Sequence, residues 1–218
     1  MTKRYFDLVA TENRDSYKLL SGLVVPRPIG WIGTKRRNGS FNLAPFSFFN
    51  VVSTSPPTVL FSGSRHSDRP KDSVALAEES GEFTVNIVSE DVAPAMSVTS
   101  GSFGPDDDEF KIAGLTAVMG TVVNAPMVAE SPANLECHVT KVLDVGEGVT
   151  RIVVGRVVAL HVDDSVLDGT RIDARQLRAV GRMSGNTYIT TDHLFEMEPP
   201  LPPYLPPERS DRGSTATP

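Results

Sequence analysis

The sequence contains a single cysteine, Cys137, among its 218 residues. An internal disulfide and a thiolate metal cluster each need at least two cysteines, so neither can form within the chain. Cys137 lies in an alternating apolar segment with Leu135 and Val139 on the same face. Free cysteines in such segments are usually buried and unreactive. We therefore predict a buried, inert thiol.

Long apolar runs and an excess of positive charge are missing too. No apolar run approaches the roughly 20 residues that a membrane-spanning helix needs. The polar start Met1-Thr2-Lys3-Arg4 lacks the apolar core of a secretory signal peptide. The net charge of −6 argues against nucleic acid as the main partner. We expect a cytoplasmic protein that binds neither a membrane nor nucleic acid.

Several common catalytic motifs are also absent. The chain has no Gly-x-Gly-x-x-Gly after a strand, no phosphate loop with Gly-Lys-Ser/Thr, and no Gly-x-Ser-x-Gly. Its histidines are scattered rather than spaced as metal ligands, at His66, His138, His161 and His193. The sequence therefore predicts no catalytic side chain and no metal site.

Strand patterns dominate what is present. Asn38-Gly39 is typical of a hairpin tip, so residues 28–34 and the segment from Phe41 onward are predicted to pair, with Lys35-Arg36-Arg37 in a solvated turn. Residues 82–88 alternate as a half-buried strand does. Residues 135–145 and 151–162 form a second predicted hairpin. The second arm of that hairpin is apolar on both faces, which predicts a central strand. Many short strands favour a barrel or sandwich.

Two helices interrupt these strands in the prediction. Asp68-Arg69-Pro70 offers a start signal for the first helix, and Gly81 offers its end. The second helix begins at Ser89 or Glu90 and includes residues 93–98. Residues 101–109 are predicted to form an acidic surface loop, with a lid over a pocket as the alternative.

The C-terminal residues change in character. We predict one domain over residues 1–197, followed by a proline-rich tail over residues 198–218. Six of the nine residues from Pro199 to Pro207 are proline, and such a composition cannot bury a core. The tail is interpreted as a disordered end or as an arm that packs along a partner subunit.

The segment from Asn42 to Asn50 combines a proline, three phenylalanines and small polar side chains. This mixture suits a flat aromatic ligand, because apolar groups can pack on its rings while polar groups contact its edge. We regard the segment as a candidate surface for binding an aromatic ring system.

A second candidate segment runs from Ser62 to Ser73. It supplies serine hydroxyls, a glycine, two arginines and a lysine just before a predicted helix. Backbone N–H groups at a helix start are unpaired and favour phosphate, although a serine there also serves as an ordinary cap. Together the two segments would suit a mononucleotide with an aromatic head.

Motifs spread over residues 15–197 resemble the flavin reductase-like family, whose fold is an FMN-binding split β-barrel with a few short helices. Each motif is weak alone, but their order and spacing make the set specific. The matching pieces are Arg27–Thr34, Asn42–Phe49, Ser55–Pro57, Lys71–Ser73, Gly81–Phe83, Asp108–Phe110, Leu135–Cys137, Gly155–Val158 and Gly181-Arg182.

The resemblance implies which residues hold the cofactor. The isoalloxazine ring would contact residues from Ala44 to Phe48, namely Ala44, Pro45, Phe46, Ser47 and Phe48. The phosphate would be held at the second segment by Ser62, Ser64, Arg65, Lys71 and Ser73, and Gly63 and Asp72 of the same segment are further cofactor-binding positions. Looser assignments are Thr34, Asn42 and Arg182.

The resemblance also implies a function. The protein would bind FMN, with FAD as the alternative, and would be reduced by NADH or NADPH. It would act as a homodimer and pass reduced flavin or electrons to a partner monooxygenase or another acceptor. A flavoredoxin-like electron carrier and a flavin-binding module without turnover are the alternatives, since no nicotinamide-binding motif is recognisable.

Overall fold

The computed structural model describes residues 1–64, 70–146 and 150–199. The strands of this part, numbered in chain order, are β1 Arg27–Pro28, β2 Gly30–Lys35, β3 Phe41–Phe46, β4 Phe49–Thr54, β5 Pro57–Ser64, β6 Glu82–Ile87, β7 Ala117–Met119, β8 Pro126–Val128, β9 Ala133–Val145, β10 Thr150–Val162, β11 Leu167–Asp168, β12 Arg171–Ile172, β13 Gly181–Arg182 and β14 Tyr188–Ile189. The helices are α1 Asn13–Leu23, α2 Asp72–Ser80, α3 Ala93–Val98, α4 Glu109–Ile112 and α5 Ala174–Leu177, with 3₁₀ turns at Glu90–Val92 and Asp164–Val166.

A seven-stranded antiparallel sheet forms the body of the described protein, in the order β3-β2-β6-β9-β10-β5-β4. Its two edge strands, β3 and β4, are joined only by Ser47 and Phe48. So short a connection cannot span a flat sheet, and the sheet therefore curls until its edges meet. The amide of Ser62 donates to the carbonyl oxygen of Phe48 at 2.8 Å, which ties this corner to β5. The predicted barrel is confirmed.

Aromatic rings fill the inside of the barrel. The ring centroids of Phe46 and Phe61 are 5.0 Å apart, and those of Phe61 and Phe83 are 5.2 Å apart. Gly155 makes room for this row, because a Cβ at that position would lie 2.4 Å from the Phe83 ring. Helix α2 adds Val74 to the same core. Burial of each such phenylalanine stabilises the fold by about 1.5–3 kcal/mol.

A second apolar layer covers the outer face of the sheet near β2 and β3. Trp31, Leu43 and Phe110 are buried there together with residues from the segment after β6. The indole Nε1 of Trp31 donates to the Thr99 hydroxyl at 2.8 Å, so the end of α3 is anchored to the sheet. Trp31 is thus a core residue.

Strand β6 is more deeply buried than its sequence pattern predicts, because the second layer covers its outer face. The strand itself is confirmed, but the expected half-burial is wrong, because Thr84 and Asn86 are both 0% exposed. The Asn86 amide donates to the Trp31 carbonyl at 2.8 Å and accepts from the Val128 amide at 2.9 Å. Polar side chains therefore hydrogen-bond the second layer instead of facing water.

The two predicted hairpins and the predicted end of the first helix are confirmed. The β2–β3 hairpin turns at Gly39 with φ 89°, and the β9–β10 hairpin forms over its whole predicted length. Strand β10 lies between β9 and β5, so it is central, although Leu160 near its end is 64% exposed. Helix α2 ends at Gly81, whose φ is 74°. Within the described ranges, no helix is both long and apolar enough to cross a membrane.

Glu136 joins the loop before β8 to the sheet. The side chain is fully buried, and its oxygens accept from the amides of Thr121 at 3.0 Å, Val122 at 2.7 Å and Val123 at 2.7 Å. His161 Nε2 lies 2.6 Å from Oε1. Burial opposes ionisation of Glu136, but the hydrogen bonds outweigh it and lower the pKa of this carboxyl to about 2.

We expect Glu136 to control acid stability. Because folding lowers its pKa from 4.5 to about 2, the ionised carboxylate stabilises the fold above pH 4.5 and loses this contribution as the pH falls toward 2. The contribution at neutral pH is about 3 kcal/mol. Glu136→Gln should therefore be less stable than the parent at neutral pH and lose less stability on acidification, as urea unfolding at several pH values would show.

Glu196 is exposed, and the variant Glu196→Gln provides the control. Its free energy of unfolding should equal that of the parent protein at every pH. If Glu136→Gln instead shows the parent's pH slope, the carboxylate is not the group that links acid to stability.

Candidate functional site

A cleft of about 210 Å³ lies between β3, the start of α2 and the segment after α3. It is lined by Asn42, Ala44, Pro45, Pro70, Lys71, Asp72, Ser73, Thr99, Ser100, Gly101, Ser102, Phe103 and Glu109. The two segments that the sequence singles out, one for an aromatic ring and one for phosphate, therefore face the same space.

Strand β3 gives the cleft its apolar wall. As an edge strand, β3 pairs only with β2, so its other edge is open to the cleft and to α4. Proline is tolerated in such a position because an edge strand does not need every N–H for the ladder. The half-buried Ala44 and Pro45 present small apolar surfaces there.

A buried hydrogen-bond network lies beside this wall. The Asn42 side-chain amide donates to the Ser73 hydroxyl at 2.8 Å and to the Thr34 hydroxyl at 3.1 Å. All three side chains are at most 2% exposed. Asn42 and Ser73 reach the cleft, whereas Thr34 lies behind them and orients Asn42. No donor in the described residues contacts the amide oxygen of Asn42.

The start of α2 gives the cleft its positive end. Lys71 precedes the helix, and its carbonyl oxygen accepts from the amides of Val74 and Ala75 at 3.0 and 3.1 Å. The amides of Asp72 and Ser73 come before these bonds, so they have no acceptor within the helix. The Lys71 ammonium lies 5.5 Å from the centroid of the Phe46 ring, at the edge of the barrel.

Gly63 allows Lys71 to take this position. A Cβ on Gly63 would lie 3.0 Å from the Phe46 ring and 3.7 Å from Cδ of Lys71. Gly63 is thus a packing residue beneath the lysine stem, while the lysine amine remains free to reach the cleft.

Three charged side chains meet at the cleft: Asp72 and Glu109 line it, and Arg36 contacts both of them. Glu109 is 5% exposed, and its Oε2 accepts from the Leu43 amide at 3.2 Å. Arg36 is 8% exposed, and its Nη2 lies 3.8 Å from both Glu109 Oε1 and Asp72 Oδ2. Burial raises the pKa of Glu109, and the hydrogen bonds and the nearby Arg36 only partly offset this.

This charged group corrects two sequence predictions. Arg36 does not lie in a solvated turn, because its side chain folds back from the hairpin tip onto α2 and α4. Glu109 ends the predicted acidic surface loop but is buried, and residues 101–103 of the same loop line the cleft. The only sequence signal for Glu109 was its place in the motif Asp108-Glu109-Phe110.

The remaining predicted residues lie outside the cleft. Phe46 is buried in the barrel core. Ser47, Phe48 and Ser62 line a separate cavity of about 440 Å³ between α1 and the β4–β5 edge. The Ser64 hydroxyl lies 3.0 Å from that of Thr150. Two further positions are Arg182, which stacks on Tyr188 in β14, and Arg65, which falls outside the described residues.

No group of three or more His, Cys, Asp or Glu side chains in the described residues is arranged to hold a metal ion. Cys137 is fully buried, and burial raises the pKa of its thiol to about 12, as expected for an inert cysteine. The chemistry of the cleft therefore comes from apolar surface, hydrogen-bond donors and charge.

A sequence model of the flavin reductase like domain matches residues 21–180. The chain belongs to the flavin reductase-like family. The match covers the barrel strands, the start of α2 and the segment that borders the cleft, so the resemblance seen in the motifs is confirmed.

Relatives of this flavin reductase-like protein cover nearly its whole length. An uncharacterised protein from Halalkalibacterium halodurans is 39% identical over 192 residues, which are 86% of this chain and 92% of that protein. The crystal structure of nitrilotriacetate monooxygenase component B from Bacillus cereus is 30% identical, with a TM-score of 0.88 over 90% of this chain and 100% of that chain.

A structure from Shewanella frigidimarina, described as a flavin reductase with a split barrel domain, is 24% identical. Its TM-score is 0.78, over 90% of this chain and 99% of that chain. At this identity the likeness concerns the fold, and it confirms the predicted split barrel.

Proposed function

We propose that this protein is an FMN-binding oxidoreductase, an NAD(P)H-dependent flavin reductase that passes reduced flavin or electrons to a partner. One observation carries the proposal: Ala44 and Pro45 face Lys71 and Ser73 across a single cleft. The family membership supports a flavin as the ligand, with FAD as the alternative to FMN.

The residues of the cleft fit the ring end of FMN. Pro45 and Ala44 offer a flat apolar surface on a strand edge, where backbone groups are also open to a ligand. Phe103 stands on the other side of the cleft and adds a second apolar surface. The Asn42 amide oxygen, held in place by the network with Thr34 and Ser73, can accept from a ligand N–H or hydroxyl group.

The start of α2 fits the phosphate end. The amides of Asp72 and Ser73, which have no acceptor among the described residues, and the ammonium of Lys71 all favour a dianion at this place. The two carboxylates nearby would oppose it, but Asp72 lies 3.8 Å from Arg36, and burial raises the pKa of Glu109. Arg36 thereby reduces the negative charge that the phosphate would meet.

FMN, once bound, supplies the ring that accepts hydride from a reduced nicotinamide. The residues of the cleft would bind and orient it, with β3 beside the ring and the α2 start beside the phosphate. The segment Ser100–Phe103 lines the cleft and would cover part of the bound ring. No protein acid or base is needed for hydride transfer, which agrees with the absence of a catalytic motif.

Anaerobic reduction tests this proposal directly. Protein loaded with FMN and mixed with NADH or NADPH should lose its oxidised-flavin absorbance, and multiple turnovers of added free flavin should follow. Bleaching without turnover would favour the flavoredoxin-like carrier, whereas no bleaching with either nucleotide would refute the reductase. If the protein binds no flavin, it shares only the fold with flavin reductases and has another ligand.

Lys71→Ala tests the phosphate assignment. It should remove a charge-assisted contact of about 1.5–3 kcal/mol and weaken FMN binding about ten- to a hundredfold. Riboflavin, which has no phosphate, should bind the variant and the parent alike. Flavin fluorescence titration measures both affinities. The exposed Lys141→Ala is the matched control, and equal FMN affinity in all three proteins would show that Lys71 does not hold the phosphate.

We further propose that two copies form a homodimer and that a partner monooxygenase takes up the reduced flavin. The Bacillus cereus structure at 30% identity is a component of a monooxygenase, which supports such an acceptor. Edge strand β4 carries the apolar side chains Val51 and Val52, which are 58% and 51% exposed. An exposed apolar edge of this kind favours pairing with another chain.

The dimer can be tested by light scattering. Val52→Asp should lower the molecular mass toward that of a monomer, because it places a charge in the proposed interface, whereas Val9→Asp at a 99% exposed position should not. Deletion of all residues after Met197 tests the tail. If the tail is not an assembly arm, the shortened protein should remain a dimer like the parent. A monomeric parent would contradict the dimer.

A further inference from the structure

The cavity between α1 and the β4–β5 edge contains a buried cation. Arg27 lines this cavity of about 440 Å³ and is only 6% exposed. In the described ranges no carboxylate lies within 4.0 Å of its guanidinium, whereas Arg36, Arg37, Arg151 and Arg178 each have one. Buried charges in proteins are normally paired, so a buried arginine without a counter-charge needs an explanation.

Neutral groups satisfy most, but not all, of the Arg27 donors. Nη1 donates to the carbonyl oxygens of Ser21 and Val24, and Nη2 donates to that of Met183 at 3.1 Å. Nε has only a long contact of 3.4 Å to the Ser47 hydroxyl. A guanidinium has five N–H groups, so one donor lacks an acceptor in the described residues and another is weakly used. Carbonyl oxygens solvate the cation without neutralising it.

A second arginine increases the positive charge. Arg27 in β1 lies directly opposite Arg182 in β13, so both side chains leave the same face of this small sheet. Arg182 bonds the Tyr188 hydroxyl and the Gly185 carbonyl, and it also has no carboxylate within 4.0 Å among the described residues. Like charges directly opposite one another are unfavourable unless an anion lies between or beside them.

The rest of the cavity is apolar and partly aromatic. Its walls include Leu20 from α1, Val24 just after that helix, Pro28 and Leu60. Phe48 is 46% exposed, and its ring centroid lies 5.9 Å from the Arg27 guanidinium. A cavity of this volume falls within the usual range for small-molecule sites, where a few polar groups orient a largely apolar ligand.

We propose that this cavity binds a small organic carboxylate with a ring-sized apolar body. The carboxylate meets the Nε–Nη2 side of Arg27 and the Ser47 hydroxyl, and the ring packs on Phe48 and the α1 side chains. Arginine suits this role because its donors match the two oxygens of a carboxylate. The proposal concerns a second site and does not depend on flavin binding, because the cavity and the flavin cleft share no lining residue.

Benzoate is a suitable probe, and benzamide and acetate are its controls. Titration calorimetry on the full chain should detect benzoate binding, whereas benzamide lacks the charge and acetate lacks the ring. Each control should bind at least about tenfold more weakly, since a charge-assisted contact and a buried ring are each worth about 1.5–3 kcal/mol. Equal affinity for benzamide would overturn the proposal, because the cation would then not be recognised.

Variants of Leu20 test the position of the site without removing Arg27, whose bonds hold α1. Leu20 is 51% exposed and lines the cavity. Leu20→Glu places a carboxylate beside the guanidinium and should weaken benzoate at least about tenfold, while the neutral Leu20→Gln should retain most of the affinity. Equal effects of the two substitutions would refute the role of Arg27.

Flavin provides the last control. Saturating FMN should leave benzoate affinity unchanged, and Lys71→Ala should not alter it. If FMN displaces benzoate, the probe occupies the flavin cleft and the second site is disproved, although the proposed flavin reductase activity would stand. If benzoate fails to bind at all, the cavity is not a carboxylate site, whatever the outcome of the flavin experiments.

Discussion

The two-residue connection between β3 and β4 is the constraint on which the rest of the structure depends. Ser47 and Phe48 join strands that lie at opposite edges of the sheet, so this corner closes the barrel. Phe46 and Phe49 on either side of it point into the core, and their burial stabilises the closed form. Both cavities of the molecule discussed above lie beside this corner, one on each side.

Barrel closure also determines where α2 begins. Val74 and Ala77 of this helix are buried in the barrel core beside Phe46, so the first turn of α2 lies next to β3. The cleft exists because an edge strand and a helix start meet there. Residues separated by about thirty positions in the chain, such as Asn42 and Ser73, therefore come into hydrogen-bonding contact. Local sequence alone does not show this contact.

Local patterns predicted much of the fold and part of the site. The Asn38-Gly39 turn, the β9–β10 hairpin and the end of α2 at Gly81 each follow from short-range backbone preferences, and they are found where expected. Helix α1 was not predicted; three of its four large apolar side chains, Tyr17, Leu20 and Leu23, are exposed, and its only buried residue is Ser21.

The prediction of cleft residues was also partial. Asn42, Ala44, Pro45, Lys71, Asp72 and Ser73 meet in one cleft. Ser47, Phe48 and Ser62 line the other cavity instead, because Ser47 and Phe48 form the corner after Phe46 and Ser62 in β5 is hydrogen-bonded to that corner. Burial of Thr84, Arg36 and Glu109 depends on layers that arrive from distant parts of the chain, so no local pattern could reveal it.

Two buried arginines illustrate how the same side chain can serve different purposes. Arg36 faces Asp72 and Glu109, so its charge is matched within the protein, and it holds the hairpin tip, α2 and α4 together. Arg27 is bonded by carbonyl oxygens and a hydroxyl, which orient the guanidinium, but no carboxylate of the described residues compensates its charge. Nη2 of Arg36 makes no hydrogen bond in the described residues, so the two carboxylates at 3.8 Å act on it through charge. A fixed cation beside an apolar cavity instead attracts an anion from outside. The difference in charge balance, rather than in burial, therefore assigns a structural role to Arg36 and a ligand to Arg27.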